Sequence, residues 1–143
     1  MRRAPLALAA AAALCLGAAG TAQGAVRAKI TSIRVITADT RVAASPPYRR
    51  DRAYAYVVRY RITGTGTLRV KRRAVLRTAG GTVIARVAPP AETGESGEYF
   101  ASARIPVGAR DPRTTYVLGY VVQVTAPDGT RARAARSVRL RFV

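Results

Sequence analysis

Two-residue alternation of apolar and polar side chains is the feature that most constrains this chain. From Ala53 to Thr63 every even-numbered residue is apolar, whereas Arg59 and Arg61 fall on odd positions. The same pattern recurs from Thr115 to Ala126, with apolar residues at every even position. Because successive side chains on a β-strand point to opposite faces, this period predicts strands with one buried face and no amphipathic helices over these residues.

Glycine, proline and aspartate turns divide the chain after residue 25 into short predicted strands. Ile30 and Ile33 differ in parity, which predicts a slip of register in the first strand. The spacing indicates an all-β fold, a single antiparallel β-sandwich of about seven strands, with a closed up-and-down barrel as the alternative. The seven predicted strands are Val26–Thr37, Ala53–Thr63, Leu68–Thr78, Thr82–Ala88, Glu98–Val107, Thr115–Ala126 and Arg131–Val143.

The first 24 residues are predicted to be a signal peptide cleaved near Gly24. Arg2 and Arg3 precede an unbroken apolar stretch from Leu6 to Ala19, which is shorter than the roughly 20 residues of a spanning helix. Small residues at positions 22 and 24 suit cleavage there, with cleavage after residue 25 and an uncleaved anchor as the rival interpretations. We therefore expect a secreted or envelope-associated domain at 25–143 without a transmembrane anchor.

The run YVVQVTAPDG at 120–129 resembles the penultimate strand and last turn of immunoglobulin-like and fibronectin-III-like domains of secreted bacterial proteins. The Leu68–Val87 hairpin around Gly80-Gly81 is similar to theirs as well. The resemblance covers the second half of the predicted domain, which lacks the cysteines and tryptophan of antibody domains. It implies an immunoglobulin-like sandwich that serves as a binding, spacing or accessory module, and it implies no substrate.

Most of the side chains with which enzymes activate water or substrates are missing. The chain contains no histidine, and its one cysteine, Cys15, lies inside the predicted signal peptide. This excludes an imidazole base, a disulfide and a thiolate metal site from the predicted domain. Glu92, Glu95 and Glu98 form the one acidic cluster, and they lack calcium-loop spacing, which favours a solvated loop. We expect a non-enzymatic protein without cofactor, metal or small-molecule substrate.

Arginine gives the chain its charge and marks two predicted strands. The chain carries 25 Lys and Arg against 7 Asp and Glu, a net charge of +18. On the strands Leu68–Thr78 and Arg131–Val143, the cations lie at the parity opposite to the apolar residues. In an immunoglobulin-like sheet these two strands flank the strand Thr115–Ala126, whose outward residues are uncharged. The first cationic ladder is Arg69, Lys71, Arg73 and Arg77, and the second is Arg131, Arg133, Arg139 and Arg141. All of these except Arg131, at the start of its strand, form the candidate site for an anionic polymer.

Two interpretations of the ladders stay open. Arginine binds phosphates and carboxylates through paired hydrogen bonds, which suits teichoic acid, acidic polysaccharide, anionic lipid headgroups or extracellular DNA. Few aromatic residues are available to stack on bases, so sequence-specific recognition of nucleic acid is not expected. Alternatively, the ladders form an ordinary solvated face, and their arginine content reflects the codon bias of the genome. In that case the domain has a structural role or contacts another envelope protein.

The long predicted connection Ala38–Arg52 is a candidate contact loop. Structureless loops of this length are uncommon in compact domains and often functional. The alternative is a proline-stiffened crossover between two sheets. The residues with the composition of a contact surface are Tyr48, Arg49, Arg50 and Arg52.

Overall fold

The computed structural model describes residues 25–106 and 111–143, which form eight strands. These ranges contain no helix, and hence none long and apolar enough to span a membrane. The predicted signal peptide lies outside them. The strands are β1 (Arg27–Thr37), β2 (Tyr54–Thr63), β3 (Leu68–Thr78), β4 (Val83–Val87), β5 (Glu92–Gly94), β6 (Gly97–Arg104), β7 (Thr115–Thr125) and β8 (Arg131–Arg141).

The strands form two antiparallel sheets. One sheet has three strands in the order β1-β2-β6, and the other has five, in the order β4-β3-β7-β8 with β5 also paired to β3. The predicted all-β sandwich of antiparallel strands is therefore confirmed. None of the seven predicted strands lies between residues 88 and 98, and this is wrong, because β5 pairs there with the part of the β3 edge that β4 leaves free.

One parity of side chains from both sheets fills the core. Along β2 the even-numbered residues from Tyr54 to Ile62 are buried, whereas Arg59 and Arg61 are exposed, as the alternation predicts. Each such apolar side chain contributes roughly 1.5–3 kcal/mol when it leaves water. The largest side chains below 2 % exposure are Phe142, Ile62, Leu68, Leu140, Val58, Val122 and Val124.

Arg136 links the two sheets at a register irregularity in β1. The pairing with β2 shifts between Ile30 and Ser32, which confirms the predicted slip. Nη1 of Arg136, which projects from β8 in the other sheet, donates to the carbonyl oxygen of Thr31 at 2.9 Å and to that of Ile30 at 3.4 Å. Arg136 thus satisfies carbonyl groups at the irregularity and links the sheets.

The short Gly64-Thr65-Gly66 segment does not close a hairpin. β2 belongs to the three-stranded sheet and β3 to the five-stranded sheet, so the segment passes from one to the other. Gly66 has φ 78°, a conformation that glycine adopts without steric cost. The Ser96 hydroxyl accepts from the Gly64 amide at 2.9 Å and donates to its carbonyl at 2.7 Å. This passage lets β3 pair with β7 instead of β2.

The connection between β1 and β2 packs Tyr48 into the core. Tyr48 is 4 % exposed, and its ring centroid lies 5.3 Å from that of Tyr54 and 5.9 Å from that of Phe142. Its backbone amide donates to the carbonyl of Arg141 at 3.1 Å. The expectation that Tyr48 is a contact residue is corrected, because a ring buried between aromatic neighbours does not meet a ligand. The crossover alternative is also wrong, since β1 and β2 are neighbours in one sheet.

The two phenylalanines allow a matched test of the core. We expect Phe142→Ala to lower the free energy of unfolding by about 3–5 kcal/mol, because it leaves a cavity among three tyrosine rings. Phe100→Ala removes the same atoms from a side chain that is 61 % exposed, and should cost less than about 1 kcal/mol. Urea unfolding followed by circular dichroism measures both, and equal losses would contradict the assignment of the core.

Buried tyrosine predicts a loss of stability in alkali. Burial raises the pKa of Tyr120 to about 12, against an opposing effect of the Arg72 charge. An unfolded tyrosine has a pKa of about 10, so the stabilisation is complete below pH 10 and is lost as the pH rises toward 12. We expect the urea midpoint to fall across this window, and to fall less in Tyr120→Phe. A variant with the same pH dependence as the wild type would contradict the prediction.

Candidate anionic-polymer site

The structure brings the two cationic ladders onto the same outer face. β7 lies between β3 and β8, and the outward residues of the three strands are in register. All eight ladder side chains are exposed. Because neighbouring strands are about 4.8 Å apart, the ladders run about 10 Å from each other. The aligned outward rows are Arg69–Thr125–Arg131, Lys71–Gln123–Arg133, Arg73–Val121–Ala135, the uncharged row Val75–Gly119–Ser137 and Arg77–Val117–Arg139, with Thr115–Arg141 at the end.

No carboxylate offsets the ladders within these three strands. The outward positions of β3, β7 and β8 contain no Asp or Glu. The ion pairs between described residues lie elsewhere, at Arg49–Asp51, Arg61–Glu98 and Arg72–Glu92. Like charges on neighbouring positions of a sheet repel, so the face is held at a stability cost that an anionic ligand would relieve.

A shallow groove of about 260 Å³ lies beside the first cationic ladder. β4 pairs with β3 from Ala74 onward and β5 pairs with it up to Val70, so the edge between them has no partner strand. Proline lacks an amide hydrogen and cannot extend a ladder of hydrogen bonds, which explains the break at 89–90. The lining includes Lys71, Arg73, Gln123 and Arg133 on one side and Pro89 on the other.

Arg72 lies between two ladder residues but projects toward the core. Its side chain is 12 % exposed, and its Nη2 lies 3.0 Å from Oε1 of Glu92 on β5. The two adjacent basic residues at 72 and 73 interrupt the alternation of the strand, and this is the signal by which the sequence could have identified it. Arg72 therefore ties β5 to β3 and is not part of the outer face.

The acidic cluster is dispersed by the fold. Glu92 pairs with Arg72, and Glu98 lies 3.7 Å from Arg61 on the three-stranded sheet. The backbone carbonyl of Glu95 accepts from the Tyr99 hydroxyl at 2.6 Å. No group of three metal-ligating side chains occurs within 25–106 and 111–143.

The arginines of the predicted contact loop lie near the Arg141 end of the second cationic ladder. Arg49, Arg50 and Arg52 are exposed, and the Arg50 amide donates to the carbonyl of Val143 at 3.0 Å. Arg49 binds Asp51 through Nε at 3.1 Å and Nη2 at 2.8 Å. The hydrogen bond from Arg49 lowers the pKa of the Asp51 carboxyl. Asp51 thus offsets part of the charge of this loop.

Gln123→Glu tests the electrostatics of the face. The new carboxylate would lie between Lys71 and Arg133, its neighbours in register. We expect a gain of about 0.2–1 kcal/mol in the free energy of unfolding for each new pair, with weaker binding of polyanions. The control Gln123→Lys should act in the opposite direction on stability. If both substitutions shift the urea midpoint alike, charge repulsion does not govern this face.

No protein-family model matches the chain, and no curated protein matches it in sequence. Similarity is found among solved structures. The C-terminal domain of Wzt superposes with a TM-score of 0.60 at 13 % identity, over 81 % of this chain and 73 % of that one. β-Glucuronidase 2 of Bacteroides uniformis gives 0.47 at 6 % identity, over 78 % of this chain and 14 % of that one. The ApaA protein of Bordetella pertussis gives 0.43 at 14 % identity, over 82 % and 94 %.

The comparison with the Wzt domain establishes the fold and nothing finer. The match to the Wzt domain extends over most of both chains, so the β-sandwich is an arrangement found in known proteins. At 13 % identity it does not transfer a ligand or an activity.

Proposed function

We propose that this protein is an exported, non-enzymatic module with an immunoglobulin-like sandwich that binds anionic polymers at the cell envelope. The observation that carries the proposal is the register of β3, β7 and β8, which aligns two cationic ladders on a face without carboxylates. The predicted signal peptide at 1–24 supports a location outside the cytoplasm.

The dimensions of the face favour a polymer over a small molecule. Successive outward residues on a strand are about 6.5–7 Å apart, and strands of 11 residues extend the ladders over roughly 35 Å. A ligand with regularly repeated anionic groups can contact many of these cations at once. Guanidinium groups bind phosphate and carboxylate with two parallel hydrogen bonds, which suits teichoic acid and acidic polysaccharide.

A protein-partner role is the second candidate, and a different surface supports it. β4 exposes Val83 by 37 %, Ile84 by 40 % and Val87 by 41 %. Adjacent exposed apolar side chains on a short strand are a feature of protein contact sites. In this case the positive charge is incidental, and binding depends little on ionic strength.

Binding of the purified protein to isolated cell wall and to DNA, at about 50 to 500 mM salt, tests the proposal. We expect tight binding at low salt and a steep loss as the salt concentration rises. In the variant with Arg69, Arg73, Arg139 and Arg141 changed to Ser, hereafter the four-Ser variant, the slope of log affinity against log salt should fall by about 3–4 for duplex DNA.

A control with the same change of charge has Arg41, Arg49, Arg50 and Arg52 replaced by Ser. It should retain most of the affinity, because its substitutions lie in the connection between β1 and β2. If it loses binding while the four-Ser variant does not, the contact loop is the site. Binding that changes neither with salt concentration nor in either variant would contradict the polymer proposal and support a protein-partner module.

A further inference from the structure

The outer face of the three-stranded sheet carries a separate group of cations around an exposed aromatic ring. Phe100 on β6 is 61 % exposed and stands directly opposite Arg59 on β2. Arg61 and Lys29 pair in the next row, and Arg34 projects from β1 on the same face. These four cations are exposed. Glu98, opposite Arg61, is the one acid of the aligned outward positions of these strands.

Phe100 is exposed in a place where folding alone does not require it. Its neighbours on the strand, Tyr99 and Ala101, are half-buried and pack against the core. A phenylalanine at the inward parity would gain roughly 1.5–3 kcal/mol from burial, and a polar residue at 100 would serve the exposed parity equally well. The guanidinium carbon of Arg59 lies 4.8 Å from the ring centroid. The guanidinium thus covers one face of the ring, while 61 % of the side chain stays open to solvent.

We propose that Phe100, Arg59 and the cations around them form a second binding site, specific for the sugar carboxylates of an acidic polysaccharide. The electron-rich face of an aromatic ring attracts the partly positive C–H groups of a sugar ring. The neighbouring arginines supply paired donors for its carboxylate. This proposal rests on the proposed function only in taking an anionic polymer as the ligand, since the residues are different.

The arrangement favours a polysaccharide over nucleic acid. Proteins that bind single strands stack successive bases on several aromatic side chains. Phe100 is the single exposed aromatic among the aligned outward residues of this sheet. One ring with cations on the two neighbouring strands matches one sugar unit and its carboxylate group.

The two sites lie on opposite outer faces of the sandwich. Packed sheets are about 10 Å apart, and side chains of opposite parity project away from each other. A polymer on one face therefore leaves the other accessible, and one molecule joins two chains.

The four-Ser variant isolates the second site. Polygalacturonate serves as the probe, with duplex DNA and uncharged dextran as comparisons. We expect the four-Ser variant to retain measurable binding of polygalacturonate, and the addition of Phe100→Ala to weaken that binding about two- to tenfold. Adding Arg59→Ser should weaken it further. Val42→Ala is the matched control, because Val42 is an apolar side chain exposed by 60 % on the β1–β2 connection, and it should have no effect.

Light scattering provides a second readout. The wild type should raise the turbidity of polygalacturonate near equivalence, and Phe100→Ala with Arg59→Ser should abolish this while leaving binding through the ladders. Loss of all polygalacturonate binding in the four-Ser variant overturns the second site and supports the first. If the four-Ser variant binds polygalacturonate as tightly as the wild type and Phe100→Ala abolishes that binding, the result supports the second site and overturns the first. An equal effect of Phe100→Ala on DNA binding overturns the assignment to sugar carboxylates.

Discussion

Packing of one parity of side chains between two sheets holds this domain together. Residues 25–143 contain no cysteine, and the described ranges hold no cluster of metal-ligating groups, so burial must supply the stability that cross-links give to many small secreted domains. The aromatic residues around Phe142 illustrate how this core is packed. Phe142 contacts Tyr48, Tyr54 and Tyr116, which arrive from a connection and from both sheets. The inward-facing strand positions are therefore occupied by apolar residues, and most charged residues lie at the outward-facing positions.

Two arginines lie at the inward parity and are exceptions to this separation of apolar and charged residues. Arg136 reaches the carbonyl groups at the irregularity in β1, while Arg72 reaches the carboxylate of Glu92. Each has a defined oxygen partner, which the largely buried guanidinium of Arg72 requires and which holds the exposed side chain of Arg136 against the other sheet. The ladder arginines have no carboxylate within their own strands, and this contrast separates arginines that support the fold from those available to a ligand.

Most of the fold could be predicted from the alternation of apolar and polar residues in the sequence. The features that could not be predicted have local causes. The strand faces and the slip near Ile30 follow from parity alone, whereas the common face of the ladders also required the strand order that the immunoglobulin-like resemblance implied. Parity does not report which strands pair, so the passage of Gly64–Gly66 between sheets and the three-residue β5 depend on tertiary contacts. Tyr48 was misjudged for a related reason, because its burial arises from Phe142, which is remote in sequence. The exposure of Phe100 was open to prediction from its parity on β6.

The break between β4 and β5 has a consequence for the polymer binding that we propose. A bound chain concentrates many copies and brings their sheet edges close together, which are the conditions under which exposed strands pair and aggregate. Here the outer edge beside β3 is split into strands of five and three residues, separated by a segment containing Pro89 and Pro90. No long continuous edge is presented on that side. The same prolines that open the groove therefore leave no long strand on this one edge for a second copy of the domain to pair with.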